Sequence, residues 1–246
     1  MSKFWNFKNI AATETAPESI ELRIEGDIVS DDDVWMYEAM GMKSSSPNAF
    51  KSELAQYADK DITLWIDSYG GDVFAAAGIY NALMEHKGNV TVKIDGKAMS
   101  AASIIAMAGG TIQMSPLATL MIHDPLTYAQ GYASDLRKTA DVLDTVKESI
   151  MNAYQLKTGK TRAKISQMMD DETYMDARTA IKNGFADSML YDNKDIPEIE
   201  NFAFSRAAIV NCEKDAMKRL FAISKPEPPK ENITLAKAKL ALQLTL

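Results

Sequence analysis

The stretch DITLWIDSYGGDVFAAAGIYNALMEHKGNVTVKIDG, residues 61–96, holds two β-rich runs around one helical run. DITLWIDS (61–68) is nearly continuously apolar, which suits a strand covered on both faces. Gly70 and Gly71 follow it directly, where the backbone must turn sharply or leave room for something close. VFAAAGIYNALMEHKG (73–88) reads as a helix with Gly88 at its end, and NVTVKIDG as the next strand. This order of strand, turn, helix and strand implies an α/β fold with mostly parallel strands.

The pattern extends in both directions. Upstream, IELRIEGDIV (20–29) alternates like a strand, and SDDDVW offers several helix caps. A helical region to about Tyr57 is broken at GMKSSSPNAF (41–50). Downstream, DGKAMSAASIIAMAG (95–109) is a small-residue, apolar helix that carries Ser100 and Ser103. GTIQMS (110–115) and LATLMIH (117–123) read as two more strands. A long helix runs from a Ser134 cap to TGK at 158–160. Its apolar positions Leu136, Ala140, Leu143, Val146, Ile150 and Tyr154 fall at helical spacing, which predicts one face buried against the body or a neighbouring subunit. A shorter helix follows at about 161–169, and then DETYMDARTAIKNGFADSMLY (171–191). The organisation expected is an arm over 1–19, a main domain over 20–193 and an extension over 194–246. That extension contains a proline-rich linker, SKPEPPKEN, at 224–232. The final ITLAKAKLALQLTL is apolar but ambiguous: Leu240, Leu242, Leu244 and Leu246 alternate like a strand that stops in mid-pattern, as in a truncated chain, while the earlier part also reads as helix.

Composition narrows the function. A chain of 246 residues, 46 % hydrophobic, can bury a full core, and a net charge of −7 argues against a nucleic-acid partner. One cysteine, Cys212, and two histidines, His86 and His123, exclude a disulfide framework and a Cys- or His-built metal site. No cofactor is called for. The first residues lack the apolar run of a signal peptide, and no 18-residue apolar run spans a membrane. A soluble, cytoplasmic protein is the simplest expectation.

Chemistry-bearing residues stand at the ends of these elements. Ser100 opens a helix after a strand, where unpaired N–H groups and the helix dipole suit an oxyanion. His123 ends an apolar strand. His86 sits at a helix C-terminus, where a cation complements the dipole. A serine, a histidine and two N–H-rich turns form a serine-nucleophile constellation if the fold brings them together, with a carboxylate to orient the imidazole.

Four blocks carry a resemblance, in order and at family spacing: DSYGGDVFAAAGIYNAL, GKAMSAASIIAMAGG, LATLMIHDPLTYAQGYASDL and DARTAIKNGFADSML. Together they resemble the proteolytic subunit of the Clp protease over about 60–190, and more weakly from about 20. The resemblance implies that Ser100 is the nucleophile, that His123 is the base, and that the backbone N–H groups of Gly71 and Ala101 form the oxyanion hole. Ser103 is left with a packing role. Counted from His123 without gaps, Glu172 falls on the family's catalytic aspartate and Tyr174 on the aromatic two positions later. A one-residue shift gives the role to Asp171, whose side chain in an extended segment points to the opposite face. Asp170 and Asp176 crowd the same stretch, and Asp187 is made structural by the family pattern.

The same resemblance implies a spiral of stacked β-β-α turns, shared with the crotonases, with the 134–157 helix as a protruding handle. TYAQGYASD (127–135) then corresponds to a strand that lines substrate and meets an opposing ring. The assembly implied is a heptamer or a pair of heptamers acting on polypeptides. The N-terminal region does not match the axial loop that meets an unfoldase ATPase, so no such partner is implied. The E-T-aromatic motif at 172–174 and the C-terminal extension resemble Clp-like proteases of phage and prophage head gene clusters, which points to capsid or scaffold substrates in a host cytoplasm. Two alternatives stay open: a non-catalytic, ring-forming assembly protein, and a crotonase-type acyl-CoA enzyme. A crotonase needs no serine nucleophile beside a histidine, and that pair discriminates against it.

Overall fold

A computed structural model describes residues 8–10 and 19–191, all within the compact unit Met1–Ile196. The elements in chain order are β1 (Lys8–Ile10), β2 (Ser19–Ile28), α1 (Val34–Ala39), β3 (Ser44–Ser45), α2 (Pro47–Leu54), β4 (Ile62–Gly71), α3 (Val73–Met84) and β5 (Val90–Met99). They continue with α4 (Ala101–Ala106), β6 (Thr111–Met114), β7 (Thr119–Ile122), α5 (Ala133–Thr158), α6 (Arg162–Asp170), β8 (Thr173–Asp176), α7 (Ala177–Asn183) and β9 (Ser188–Met189). The strands join in the order β1-β2-β4-β5-β6-β9; β3 lies against β2, and β7 bridges β5 to β8. All pairings are parallel except β1 with β2 and β7 with β8. The α/β expectation holds, and Lys8–Ile10 adds an edge strand inside the expected arm.

The strands pack one face into the core. Ile62, Leu64 and Ile66 of β4 are buried together with Val90, Val92 and Ile94 of β5, under Ala76, Ile79 and Leu83 of α3. The alternate positions Thr63, Trp65 and Asp67 are only half-buried. The expectation of a strand covered equally on both faces is therefore corrected. On the outer face Trp65 carries the Lys93 ammonium 5.0 Å from its ring centroid, so its apolar surface is shielded by a cation rather than by a helix.

A register shift decides where the site lies. Ile66 pairs with Ile94, but Ser68 pairs with Ala98, so β5 takes extra residues around Asp95–Lys97 and bends. Its first half pairs with β6, from Thr91↔Thr111 to Ile94↔Met114. Its second half leaves β6 and pairs with β7, from Lys97↔Thr119 to Met99↔Met121. The chain ends of β4, β5 and β7 and the start of β8 thus gather at one end of the sheet.

Several local expectations are revised. The helix α5 starts at Ala133, with Tyr132 rather than Ser134 at the cap position; Asp135 in the first turn accepts the Tyr132 N–H at 3.0 Å. The helix α3 ends at Met84 without a glycine cap. His86 does not act as an exposed dipole partner. Its Nε2 lies 2.7 Å from the Lys60 carbonyl, which ties the end of α3 to the turn before β4. Residues 127–132 form no strand. A strand needs a partner to share its ladder, and among the described residues no strand pairs with this segment. Among the described residues, no helix is long and apolar enough to cross a membrane.

Candidate active site

Ser100 stands one residue past β5 and His123 one past β7. Because Met99 pairs with Met121, the two are neighbours across the ladder, and the Ser100 N–H donates to the Met121 carbonyl at 3.0 Å. His123 Nε2 lies 2.7 Å from Ser100 Oγ, at normal hydrogen-bond length. That contact sets Nδ1 on the far edge of the ring. The pairing of β5 with β7 brings these two residues, 23 positions apart in sequence, together.

The Ser100 backbone has φ 52° and ψ −126°, a glycine-like conformation that costs a serine on the order of 1–3 kcal/mol. The glycine turn at the end of β4 fits directly against it. A Cβ on Gly70, at φ 109°, would come within 2.8 Å of Ser100 Cβ and 2.9 Å of the Ala101 nitrogen. Gly71, at φ 142°, is pressed on its other side against β2, where a Cβ would meet the Ile28 carbonyl oxygen at 2.1 Å. Neither position admits another residue without moving backbone. Ser68, buried, holds the turn: its hydroxyl donates to the Gly26 carbonyl at 2.6 Å and accepts the Gly70 N–H at 3.1 Å. Ala101 begins α4, so its N–H has no partner within that helix. The structure therefore brings Ser100, His123, Ala101 and the Gly70–Gly71 turn to one corner.

The acids separate by position. In the antiparallel β7–β8 ladder Ile122 pairs with Thr173. The ladder ends at that pair, so Glu172 directly precedes the residue that faces Ile122, as His123 directly follows Ile122, and Asp171 stands one residue further back in α6's cap. Glu172 is half-buried with φ 46°, and Asp171 is an exposed C-cap of α6 with helical angles. The two residues form a helix-end turn, which corrects the expectation of an extended segment with alternating faces. Asp176 caps α7 by accepting the Thr179 N–H at 2.8 Å. Asp187 accepts the Ile112 N–H at 2.6 Å and pairs with Lys157 at 2.9 Å, a structural use that matches its expected role.

Two features were not legible as site components. Lys147 of α5, whose side chain is 16 % exposed, pairs with Asp124 at 2.9 Å and also with Asp170, so one cation braces the segments after His123 and before Glu172. Burial pushes the Asp124 carboxyl up, against the pull of Lys147, while the Lys147 hydrogen bond holds Asp170 down. The second is Ser103. It is fully buried, but its hydroxyl donates to the Ser100 carbonyl at 2.6 Å and lies 2.8 Å from Tyr154 Oη. Helical spacing marked Tyr154 as a buried-face position, and the resemblance left Ser103 with a packing role.

Comparison with known proteins identifies the family. The Clp protease family matches residues 50–193. The chain is 35 % identical to an ATP-dependent Clp protease proteolytic subunit 2 of Synechococcus sp. (strain CC9605), over 138 residues that cover 55 % of this chain and 70 % of that one. A protein of the same description in Parasynechococcus marenigrum (strain WH8102) is 33 % identical over 148 residues, covering 59 % and 75 %. With its bent parallel sheet, its glycine turn packed on Ser100 and these matches, the chain belongs to the Clp protease family.

Proposed function

We propose that the chain is a serine endopeptidase in which Ser100 is the nucleophile, His123 the general base and Glu172 the carboxylate that orients the imidazole. Members of the family are serine peptidases. The observation that carries the reading here is the 2.7 Å contact from His123 Nε2 to Ser100 Oγ at a strained backbone position. Ser100 Oγ attacks the scissile carbonyl carbon as His123 takes its proton. The carbonyl oxygen becomes an oxyanion and accepts from the backbone N–H groups of Gly71 and Ala101. When the tetrahedral intermediate collapses, His123 returns the proton to the leaving amine and an ester to Ser100 remains. Water, deprotonated by His123, then hydrolyses that ester. Glu172 stabilises the imidazolium that forms in both steps. The half-buried place of Glu172 beside the Ile122–Thr173 pair supports it over the exposed Asp171.

The assembly reading extends to a ring, a heptamer or two stacked heptamers, with α5 as the handle between rings. Its support is the apolar surface that the single chain leaves exposed around Leu126, Tyr128, Tyr132 and Leu136. The finer reading is a head-maturation protease of the phage and prophage type, for which Glu172 at the aspartate position and the extension over 194–246 speak. Purified protein is expected to fragment an unfolded polypeptide such as casein, and Ser100→Ala to leave it intact. Co-expression with neighbouring capsid and scaffold genes separates head maturation from general proteolysis: new capsid or scaffold fragments that require Ser100 support it, and their absence removes it.

A further inference from the structure

We propose that Ser103 and Tyr154 form a positioning relay that fixes the Ser100–Ala101 peptide unit, so that the Ala101 N–H stays aimed at the developing oxyanion. The inference rests on the reading of Ser100 as nucleophile and Ala101 as oxyanion donor.

The Ser100 carbonyl accepts twice from Ser103, from its N–H at 2.9 Å and from its hydroxyl at 2.6 Å. A carbonyl only accepts, so the single Ser103 hydroxyl proton is committed to it. Tyr154 Oη, 2.8 Å from Ser103 Oγ, must therefore be the donor in that contact. The order of donors is fixed: Tyr154 to Ser103, Ser103 to the Ser100 carbonyl. Tyr154 is 1 % exposed, and burial pushes its phenol above the ordinary tyrosine range, so the donor proton stays in place at every working pH.

The consequence follows from peptide geometry. In a trans unit the C=O and the N–H point in opposite directions, and the described chain has no cis bond. Holding the Ser100 carbonyl inward, toward α5, points the Ala101 N–H outward, toward the Gly70 turn packed at its nitrogen. Ser100 is strained at φ 52°, and rotation of the 100–101 peptide is an available relaxation. That rotation would turn the N–H away from substrate, and the relay opposes it. Tyr154 is held in turn by an edge-on ring contact with Phe185 at 5.7 Å, so removing its hydroxyl leaves the ring packed. A hydroxyl present only for packing would affect stability and leave the chemical step alone.

The test uses the full chain and a rhodamine fluorophosphonate. Ser100 Oγ bonds to phosphorus, fluoride leaves, His123 takes the hydroxyl proton, and the phosphoryl oxygen gains charge at the oxyanion position. Loss of a whole oxyanion donor costs about 10²–10³-fold, and a donor that remains but wanders should cost less. Tyr154→Phe is expected to slow the limiting labelling rate about 10-fold, with unchanged half-saturation, final stoichiometry and pH midpoint. Ser103→Ala should slow it at least as much, and the double variant no more than Ser103→Ala alone, because one relay breaks only once. Final stoichiometry counts the folded sites, so if Ser103→Ala fails to fold, Tyr154→Phe carries the test. A Tyr154→Phe limiting rate within about two-fold of the parent overturns the relay, as does a loss confined to half-saturation or a moved pH midpoint. Labelling that survives Ser100→Ala would instead sink the nucleophile assignment, a separate outcome.

Discussion

The two halves of α5 differ in what a single chain can do for them. At the C-terminal end Ile150, Met151, Ala153 and Tyr154 are buried against α4 and α6, and Tyr154 reaches the Ser100 corner through Ser103. Toward the N-terminus the same stripe continues through Leu136, 44 % exposed, beside Val142, 52 % exposed, and the preceding segment shows Tyr128 at 98 %. Fully burying one such side chain is worth about 1.5–3 kcal/mol, so this half forgoes several such terms as long as the chain stands alone. The comparison teaches that one chain brings Ser100 and His123 together, whereas the outer half of α5 keeps apolar side chains uncovered, as the proposed ring requires. Damage at the corner should stop chemistry and spare assembly, and damage to the outer helix should do the reverse.

The largest effect is expected at the corner. Glu172→Gln should lower peptidase turnover on the order of 10⁴-fold with the assembly intact, and Asp171→Asn should be mild. The reverse order in steady-state kinetics would move the orienting role to Asp171. If both are mild, His123 takes no help from this turn. Gly70→Ala comes next. Its Cβ must displace the Met99 carbonyl oxygen, 2.7 Å away, or the Ala101 nitrogen. Fluorophosphonate labelling should slow by about 100-fold or more, and the fold should lose about 2 kcal/mol in denaturant titration. Labelling at the parent rate would show that the glycine turn need not touch the serine.

The outer helix gives the opposite pattern. Leu136→Asp with Val142→Asp should dissociate the assembly in light scattering and leave the thermal midpoint of the subunit nearly unchanged. Ile150→Ala, from the buried half, should instead cost about 2–5 kcal/mol of subunit stability. If the two aspartates destabilise the isolated subunit as much as Ile150→Ala does, the outer half is core after all.

The smallest effect concerns the brace. Lys147 holds Asp170 below the usual carboxylate range, so this pair stabilises above pH 4 and is lost as pH falls through the depressed value. Asp124 has the opposite sign: raised chiefly by burial, it contributes most when protonated and loses that contribution as pH rises through its own value. Asp170→Asn should therefore lower the thermal midpoint by about 1–2 °C at pH 7, a deficit that fades toward pH 3. A deficit that grows on acidification would mean that the pair is not held as an ion pair.

Much of this was legible in the sequence because it depends on local pattern. Strand, glycine turn and helix over 61–96 carried the α/β fold; Ser100 and His123 were candidates at the ends of apolar elements, and the family resemblance, not local pattern, singled them out. What the sequence hid is long-range. The bend that hands β5 from β6 to β7 is a register shift with no glycine or proline of its own, beyond Gly96, to announce it. The strain at Ser100 and at Glu172 is imposed by packing, because neither residue type favours a positive φ. The Ser103–Tyr154 bond joins residues 51 positions apart, and each alone reads as a helix packing position. The apolar stripe of α5 shows a different limit: periodicity reports that a face is apolar, not which chain covers it.

The account stands or falls on Ser100 as the single activated hydroxyl in the chain. Intact-mass and peptide mapping after reaction with a fluorophosphonate test this most directly. The account predicts one adduct per chain, located on the peptide containing Ser100, lost in Ser100→Ala and reduced to a trace in His123→Ala. An adduct on another serine, or stoichiometric labelling of Ser100→Ala, would contradict it.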